Sequence, residues 1–365
     1  MKTFVENWNG VLDTLIDTLE SRDQLTDNPH DADVFLLWQD VRGTCNELAN
    51  IAKYHLKKPV LVMQHGRGAT RDYCPPNKFT LLADKILVWG ETEKNRLLAN
   101  GITESRIDVV GCPLFNRLKP KAKERHGVNV LFAPVIAMKE EPENLLVYSA
   151  LKEWESRKLR ETIYRNFDGM KKAWAWEQTE LKEVALPDGT KEKRVWKKQV
   201  SPSLPRWLTY EAGLINVKLS GVHDVYQYQS PLIVSNQNDP HLIDGLVEIL
   251  ANTDVVVCLE EGTMQLLAHA MDIPVIVADI FRYENYGGCE NYDTVEKIHT
   301  NACYWTKNVE KIGDMIDHVL KNKTELRKHR IKVCEDEGGA HLGDADQRII
   351  NVIESFKRTP EAVPV

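Results

Sequence analysis

The stretch that decides the fold is DVVVCLEEGTMQLLAHAMDIPVIV, residues 254–277. Its first apolar run predicts a buried strand, and residues 263–271 have the apolar spacing of a helix. A proline then opens a second apolar run, so the order is strand, helix, strand. Such units form parallel sheets, in which the loop after a strand lies at the carboxyl edge, where ligands bind. The turn at 259–262 is therefore the first candidate site.

This turn has the chemistry to hold a phosphate. Gly262 lets the backbone come close to a ligand, and the amides of Gly262, Thr263 and Met264 lie at the positive end of the helix dipole. A glycine and a threonine before a helix are equally consistent with an ordinary cap. Glu260 and Glu261 would repel a phosphate, so we expect them to accept hydrogen bonds from hydroxyls of a ribose or a sugar.

The same alternation of strands and helices covers most of the 365 residues. The sequence predicts buried strands at 33–38, 59–63, 85–89, 107–110, 129–133, 214–218, 232–234, 255–258 and 275–278. It predicts helices at 11–19, 44–54, 92–100, 240–251, 263–271 and 347–356. Apolar strands alternating with helices indicate parallel sheets covered on both faces, and the length fits two α/β domains. We place the first domain at 1–122, the second at 123–346, a charged linker at 119–127, and a C-terminal helix and tail at 347–365.

Residues 151–210 break this pattern and are interpreted as an insertion in the second domain. They carry fourteen lysines and arginines against nine acidic residues, and five of the nine tryptophans. Leu186-Pro-Asp-Gly189 predicts a hairpin turn. Interleaved cations and tryptophans could bind a nucleic acid. They could equally pack as a small subdomain with solvated charges, which the sequence favours.

Composition excludes several classes of protein. The net charge of −7 gives no overall basic field for nucleic acid. No apolar run is long enough to predict a membrane span, and the N-terminus lacks the pattern of a secretory signal. The seven cysteines form no C-x-x-C pair, which favours a reduced, cytoplasmic setting. No metal-binding, Walker or G-x-S-x-G motif is present, so we expect neither a metal nor a bound cofactor.

The ordered pieces resemble the GT-B glycosyltransferases and their relatives, the nucleotide-sugar 2-epimerases and CDP-glycerol glycerophosphotransferases. Those families place a small turn before a helix and open the next strand at a proline, as Glu261-Gly262-Thr263 and Pro274 do here. Further pieces agree in order: residues 83–91 (ADKILVWGE), 101–102, 109–113 (VVGCP), 130–134 (VLFAP), 343–345 and 348–349. The resemblance spans most of residues 33–356, apart from the insertion.

The resemblance implies two Rossmann-like domains that face a cleft. The second would bind a nucleotide-sugar donor, and the first an acceptor hydroxyl of a glycan, a lipid-linked group or a nucleic acid. Leu267 stands where many GT-B donor helices carry a ribose-binding glutamate. Glu260 or Glu261 is therefore expected to hold the ribose. The first domain also lacks a recognisable opening strand with a glycine-rich turn.

His65 is the candidate catalytic base. It follows the predicted strand at 59–63, at the carboxyl edge of the first sheet, and its ordinary pKa suits proton abstraction from an acceptor hydroxyl at neutral pH. The same ring could instead cap the strand end. Arg67 and Arg71 could hold an anionic acceptor or be solvated loop charges.

Three further residues are candidates for the donor site. Lys218 ends a predicted strand and His223 lies in the following loop, where a cation could neutralise the leaving phosphate. A surface lysine and a capping histidine are the alternative. Arg282 follows the strand at 275–278, and its position alone suits a donor sugar.

The expected activity is metal-independent transfer of a sugar to an acceptor hydroxyl. Three alternatives stay open: a CDP-glycerol-type glycerophosphotransferase, a nucleotide-sugar epimerase, and a non-catalytic binding protein on a GT-B scaffold. A glycosyltransferase with a nucleic-acid acceptor is a further variant.

Overall fold

The described residues form two six-stranded parallel sheets, each with helices on its faces, and one two-stranded antiparallel sheet. This computed structural model describes residues 1–7, 10–41, 43–67, 73, 80–118, 128–133, 142–165, 180–185, 191–196, 214–218, 233–234, 247, 250–259, 262–280 and 301–356. Within these ranges, no helix has both the length and the apolar character needed to cross a bilayer.

The strands confirm the predicted apolar runs and add three short ones. They are β1 (Thr3–Val5), β2 (Leu25–Thr26), β3 (Val34–Leu37), β4 (Val60–Met63), β5 (Lys85–Val88), β6 (Ile107–Val109), β7 (Asn129–Ala133), β8 (Glu180–Ala185), β9 (Lys191–Trp196), β10 (Leu214–Lys218), β11 (Ile233–Val234), β12 (Val255–Cys258), β13 (Val275–Ala278) and β14 (Tyr304–Thr306). Every residue of β3, β4, β12 and β13 is buried, as expected for strands covered on both faces.

Within the described residues, five helices lie between these strands and three follow the last of them. They are α1 (Asp13–Ser21), α2 (Gly43–Asn50), α3 (Glu91–Ala99), α4 (Pro142–Arg165), α5 (Thr263–Ala270), α6 (Ile312–Lys321), α7 (Arg327–Gly338) and α8 (Ala345–Ser355). A π-helical segment, Ile51–Leu56, continues α2. Of the helix predicted at 240–251, most lies outside the described residues.

The first sheet has the order β2-β1-β3-β4-β5-β6, with all neighbours parallel. The first domain does have an opening strand, because β1 pairs with both β2 and β3; the expected lack of a glycine-rich turn after it stays a prediction. β1 and β2 contain three and two residues, too few to produce a periodic signal. The chain reverses its direction of travel across the sheet between β1 and β3.

The second sheet has the order β11-β10-β7-β12-β13-β14, again parallel throughout. Counted along the chain within this domain, the order is 3-2-1-4-5-6, which is that of the doubly wound dinucleotide-binding fold. Its topological switch point lies between β7 and β12. The prediction of two Rossmann-like parallel-sheet domains is confirmed.

The predicted insertion begins later than residue 151. Leu151 and Trp154 of α4 are buried in the core beside α6, and Trp154 Nε1 donates to Asp317 Oδ1 at 3.0 Å. The start of the range therefore belongs to a helical layer of the second domain. The predicted hairpin is confirmed, since β8 and β9 pair antiparallel. The linker at 119–127 lies outside the described residues, and the domain boundaries stay predictions.

Of the three apolar clusters among the described residues, one contains residues of both domains. Ile349, Ile350 and Ile353 of α8 are buried in the same cluster as Leu15 of α1 and Leu12, the residue before that helix. The C-terminal helix therefore returns to the first domain.

Helix α7 packs against α3 of the first domain and α5 of the second. At the crossing with α3, a Cβ on Gly90 would lie 2.6 Å from the carbonyl carbon of Glu337. Only glycine allows the two backbones to come this close.

Candidate functional site

The site lies where β12 meets α5, at the switch point of the second sheet. β12 pairs with β7 on one side and β13 on the other, so its carboxyl end opens beside that of β7. Ligands of doubly wound sheets bind in this crevice. The first turn of α5 points its backbone amides there.

Gly262 leaves open space in front of α5. Its backbone is extended, with φ −170° and ψ 179°, which any residue adopts. Apart from its chain neighbours, none of the described residues has an atom within 4 Å of a Cβ built at this position. The backbone conformation does not require glycine here, and no described side chain excludes a larger residue. We interpret the small size of Gly262 as leaving room beside the helix terminus.

The sequence predicts that three amides at this terminus can bind a ligand, and one of them already has a partner within the protein. The Gly262 N–H donates to Gln265 Oε1 at 3.2 Å, and the Gln265 N–H donates to the Gly262 carbonyl, also at 3.2 Å. The Gly262 amide is therefore engaged by a side-chain cap. Thr263 and Met264 are the first residues of α5, and first-turn amides have no acceptor within their own helix. We call Gly262, Thr263 and Met264 the cradle.

The structure brings the histidine segment of the first domain onto the cradle. The backbone N–H of Arg67 donates to Thr263 Oγ1 at 3.2 Å. A Cβ on Gly66 would lie 3.4 Å from the same hydroxyl. Two segments that the sequence nominated separately, almost 200 residues apart, are therefore in direct contact.

His65 is half-buried and its ring is oriented from one side. Nδ1 lies 3.0 Å from the carbonyl oxygen of Trp38, and the Trp38 ring meets the imidazole edge-on at 4.9 Å between centroids. A carbonyl only accepts, so Nδ1 carries the proton, and in the neutral ring the lone pair is on Nε2. Nδ1 thus makes the strand-end contact that the capping alternative requires, while Nε2 has the form that a general base needs.

Arg67 is not a solvated loop charge. Its side chain is 7% exposed, and its Nε and Nη2 donate to the two carboxylate oxygens of Glu337 at 2.5 and 2.6 Å. Nη1 donates to Gln265 Oε1 at 3.2 Å. All these partners belong to the second domain, on the donor side of the predicted cleft. Its expected acceptor role stays a prediction.

The structure says less about the other residues predicted for the site. Lys218 is the last residue of β10, which pairs with β7, so its backbone lies at the same sheet edge as the cradle. Leu267 is fully buried in the core. Outside the described residues lie Arg71, His223, Glu260, Glu261 and Arg282, whose roles stay predictions.

Three residues at the site were not nominated from sequence: Gln265, Glu337 and Asp40. Gln265 is the third residue of α5, where a glutamine commonly caps the helix start, so the local pattern could have indicated it. Glu337 lies 270 residues from Arg67. No local pattern connects the two.

Asp40 anchors the chain that follows the histidine segment. It is fully buried and accepts from the Tyr73 hydroxyl at 2.7 Å and the Ala83 N–H at 2.6 Å. Burial raises the pKa of its carboxyl, against the lowering effect of these hydrogen bonds. Among the residues that the structure describes, no group of three His, Cys, Asp or Glu is arranged to hold a metal ion.

Comparison with known proteins identifies the fold. No protein-family model matches the chain, and no curated protein matches its sequence. Solved structures do match: the wall teichoic acid polymerase TagF has a TM-score of 0.56 at 10% identity, over 97% of this chain and 89% of TagF. HepE of Anabaena, solved with UDP and glucose, has a TM-score of 0.50 at 9% identity, over 97% and 100%.

A protein of Listeria monocytogenes assigned as a UDP-N-acetylglucosamine 2-epimerase has a TM-score of 0.51 at 16% identity, over 97% of this chain and 81% of that one. These neighbours are GT-B enzymes, and the present chain has the GT-B fold. Identities this low establish the fold alone.

Proposed function

We propose that the protein is a glycosyltransferase that moves a sugar from a nucleotide-sugar donor to an acceptor hydroxyl. The observation that carries this proposal is the 3.2 Å hydrogen bond from the Arg67 N–H to Thr263 Oγ1. It sets a histidine segment at the carboxyl edge of one sheet against a helix terminus at the switch point of the other. A histidine two residues before Arg67, and a helix terminus suited to an anion, are the parts that such a transfer needs.

The cradle would hold the diphosphate of the donor. The first-turn amides of Thr263 and Met264 and the positive end of the α5 dipole favour an anion. They act most strongly on the charge that develops as the bond between the anomeric carbon and the diphosphate oxygen breaks. Lys218, at the same sheet edge, is proposed to add a positive charge to the leaving group.

His65 would take the proton from the acceptor hydroxyl. With Nδ1–H donated to the Trp38 carbonyl, Nε2 accepts the proton as the acceptor oxygen bonds to the anomeric carbon. The hydrogen bond to Trp38 also holds the imidazolium that results.

The proposal is tested first by binding and then by the product formed. Thermal shift with UDP, CDP, GDP, ADP and TDP identifies the base, and no shift with any of them would favour a non-catalytic protein. Incubation with sugars linked to that nucleotide, and with CDP-glycerol, then separates the reactions. A glycosyltransferase releases a nucleoside diphosphate, a glycerophosphotransferase releases CMP, and an epimerase releases neither but isomerises the sugar.

His65→Asn tests the role of the histidine. An asparagine amide can still donate to the Trp38 carbonyl but cannot act as a base, so fold and nucleotide affinity should be kept while product release falls at least about a hundredfold. His65→Ala, which also removes the contact with Trp38, is the comparison. Normal turnover by the asparagine variant would mean that His65 is structural.

A further inference from the structure

Arg67 is a buried cation at the edge of the cradle. A single oxygen, Gln265 Oε1, accepts from both Arg67 Nη1 and the Gly262 N–H, each at 3.2 Å. This shared acceptor connects the guanidinium to the turn in front of α5. The backbone of the same arginine donates to Thr263 Oγ1.

Glu337 cancels this charge. The pair is bidentate and enclosed, with side-chain exposures of 7% for Arg67 and 9% for Glu337. A buried ion pair of this kind rarely stabilises a fold more than apolar residues of the same size would, because both ions lose their hydration. Stability alone is therefore a weak reason for placing an arginine here.

A diphosphate is a stronger partner for this arginine than a carboxylate. A guanidinium binds phosphate oxygens with the same two-pronged geometry it uses for Glu337, and a diphosphate carries more negative charge. Among the described residues, none but its chain neighbours lies within 4 Å of a Cβ on Gly262, which shares the acceptor Gln265 Oε1 with the guanidinium.

We propose that Arg67 is a ligand of the donor's diphosphate and that Glu337 holds it until the donor binds. On binding, the guanidinium exchanges the carboxylate oxygens of Glu337 for phosphate oxygens, while the Arg67 N–H stays on the Thr263 hydroxyl. Glu337 thus competes with the ligand and lowers its affinity. This inference rests on the proposed function, because it needs a nucleoside diphosphate at the cradle.

The test removes the competitor. Glu337→Gln keeps the size of the side chain and its hydrogen-bonding oxygen but loses the charge. Calorimetry is run with whichever of UDP, CDP, GDP, ADP and TDP binds the wild type, and with the corresponding nucleoside. We expect the diphosphate to bind about tenfold more tightly, or ~1.4 kcal/mol, and the nucleoside to bind as before.

Asp336→Asn is the matched control. It removes the same charge from the preceding residue of α7, but this carboxylate is 47% exposed and pairs with Lys332. Since exposed charges are largely screened by solvent, diphosphate affinity should stay within about twofold. If Asp336→Asn raises the diphosphate affinity as much as Glu337→Gln does, the cause is the change in net charge, and the proposal is overturned.

The double variant Arg67→Gln with Glu337→Gln assigns the effect to the arginine. It replaces both ions, so no uncompensated charge is left buried, and the gain in affinity should vanish. The ion pair is a structural contact only if Glu337→Gln binds the diphosphate no more tightly than the wild type. The same conclusion follows if the double variant keeps the gain in diphosphate affinity. If Glu337→Gln does not fold, Glu337→Asp, which keeps the charge but shortens the reach, should show a smaller gain.

These outcomes are distinct from failure of the proposed function. A wild-type protein that binds none of the five diphosphates refutes the function and this inference together. A wild-type protein that binds one of them, without tighter binding by Glu337→Gln, refutes this inference alone.

Discussion

Gly262→Ala separates the ligand role of the cradle from its structural role. The backbone of Gly262 is extended, and a Cβ there meets no atom of the described residues within 4 Å beyond its chain neighbours, so we expect alanine to fit without strain. Loss of glycine restricts the unfolded chain and stabilises the protein by about 0.4–1 kcal/mol. Alanine is a poorer residue than glycine in front of a helix, by roughly 0.5–1 kcal/mol. The two terms offset each other, so the melting temperature should change by no more than about 2 °C.

Diphosphate binding should respond strongly. The added methyl group occupies the space through which a phosphate approaches the amides of Thr263 and Met264. Hydrogen bonds from amides to a charged group contribute about 1.5–3 kcal/mol each, so the loss of one weakens binding about tenfold to a hundredfold. Thermal melting and calorimetry on the same sample, with the diphosphate that the wild type binds, measure both quantities.

Gly262→Ser is the matched control for the helix cap. Serine restores a favourable residue in front of α5 while still adding a Cβ, so stability should rise and affinity should still fall. Wild-type affinity in the alanine variant would mean that the ligand does not approach the helix at Gly262. A fall in melting temperature above about 5 °C would mean that the space beside Gly262 is not open.

Two further predictions concern the support around the site. Gly90→Ala should destabilise the protein by about 3 kcal/mol or more, because the new Cβ would lie 2.6 and 2.7 Å from backbone atoms of Glu337. Urea unfolding measures this loss of stability. A change in the unfolding free energy below about 0.5 kcal/mol would contradict the packing. Burial raises the pKa of Asp40 above its unfolded value, so its contribution to stability is present at low pH and is lost as pH rises through the folded pKa. The unfolding free energy of the wild type should therefore fall relative to Asp40→Asn between pH 4 and pH 7, and a constant difference in urea unfolding at the two pH values would contradict this.

The sheets could be predicted where the strands are buried on both faces. β4, β12 and β13 each have four buried apolar residues in a row, so their sequences carry the signal alone. β1 and β14 have three residues each and include partly exposed positions, so they depend on their neighbours for recognition. Sequence order was sufficient for the fold class but not for the switch point of the first sheet, which depends on β1.

The site, like the sheets, has some residues that the sequence could identify and others that it could not. Gly262 and Thr263 could be nominated because a turn before a helix is a local pattern with a local chemical meaning. The environment of Arg67 could not, since charged residues in loops are usually solvated and nothing nearby in sequence indicates burial. Its carboxylate partner is on α7, in the other half of the chain.

The packing of α7 connects the fold to the site. Gly90 of the first domain lies against the backbone of α7 in the last turn of that helix, and α7 also packs on α5. Moving the domains widely apart would break this backbone contact and expose the shared core that includes Trp89 and Leu266. Each fully buried apolar side chain of this kind contributes about 1.5–3 kcal/mol, so wide separation is costly. If the donor binds at the cradle as proposed, exchange of one side chain, Arg67, would accommodate it more readily than separation of the domains, because that exchange leaves the α7 interface intact.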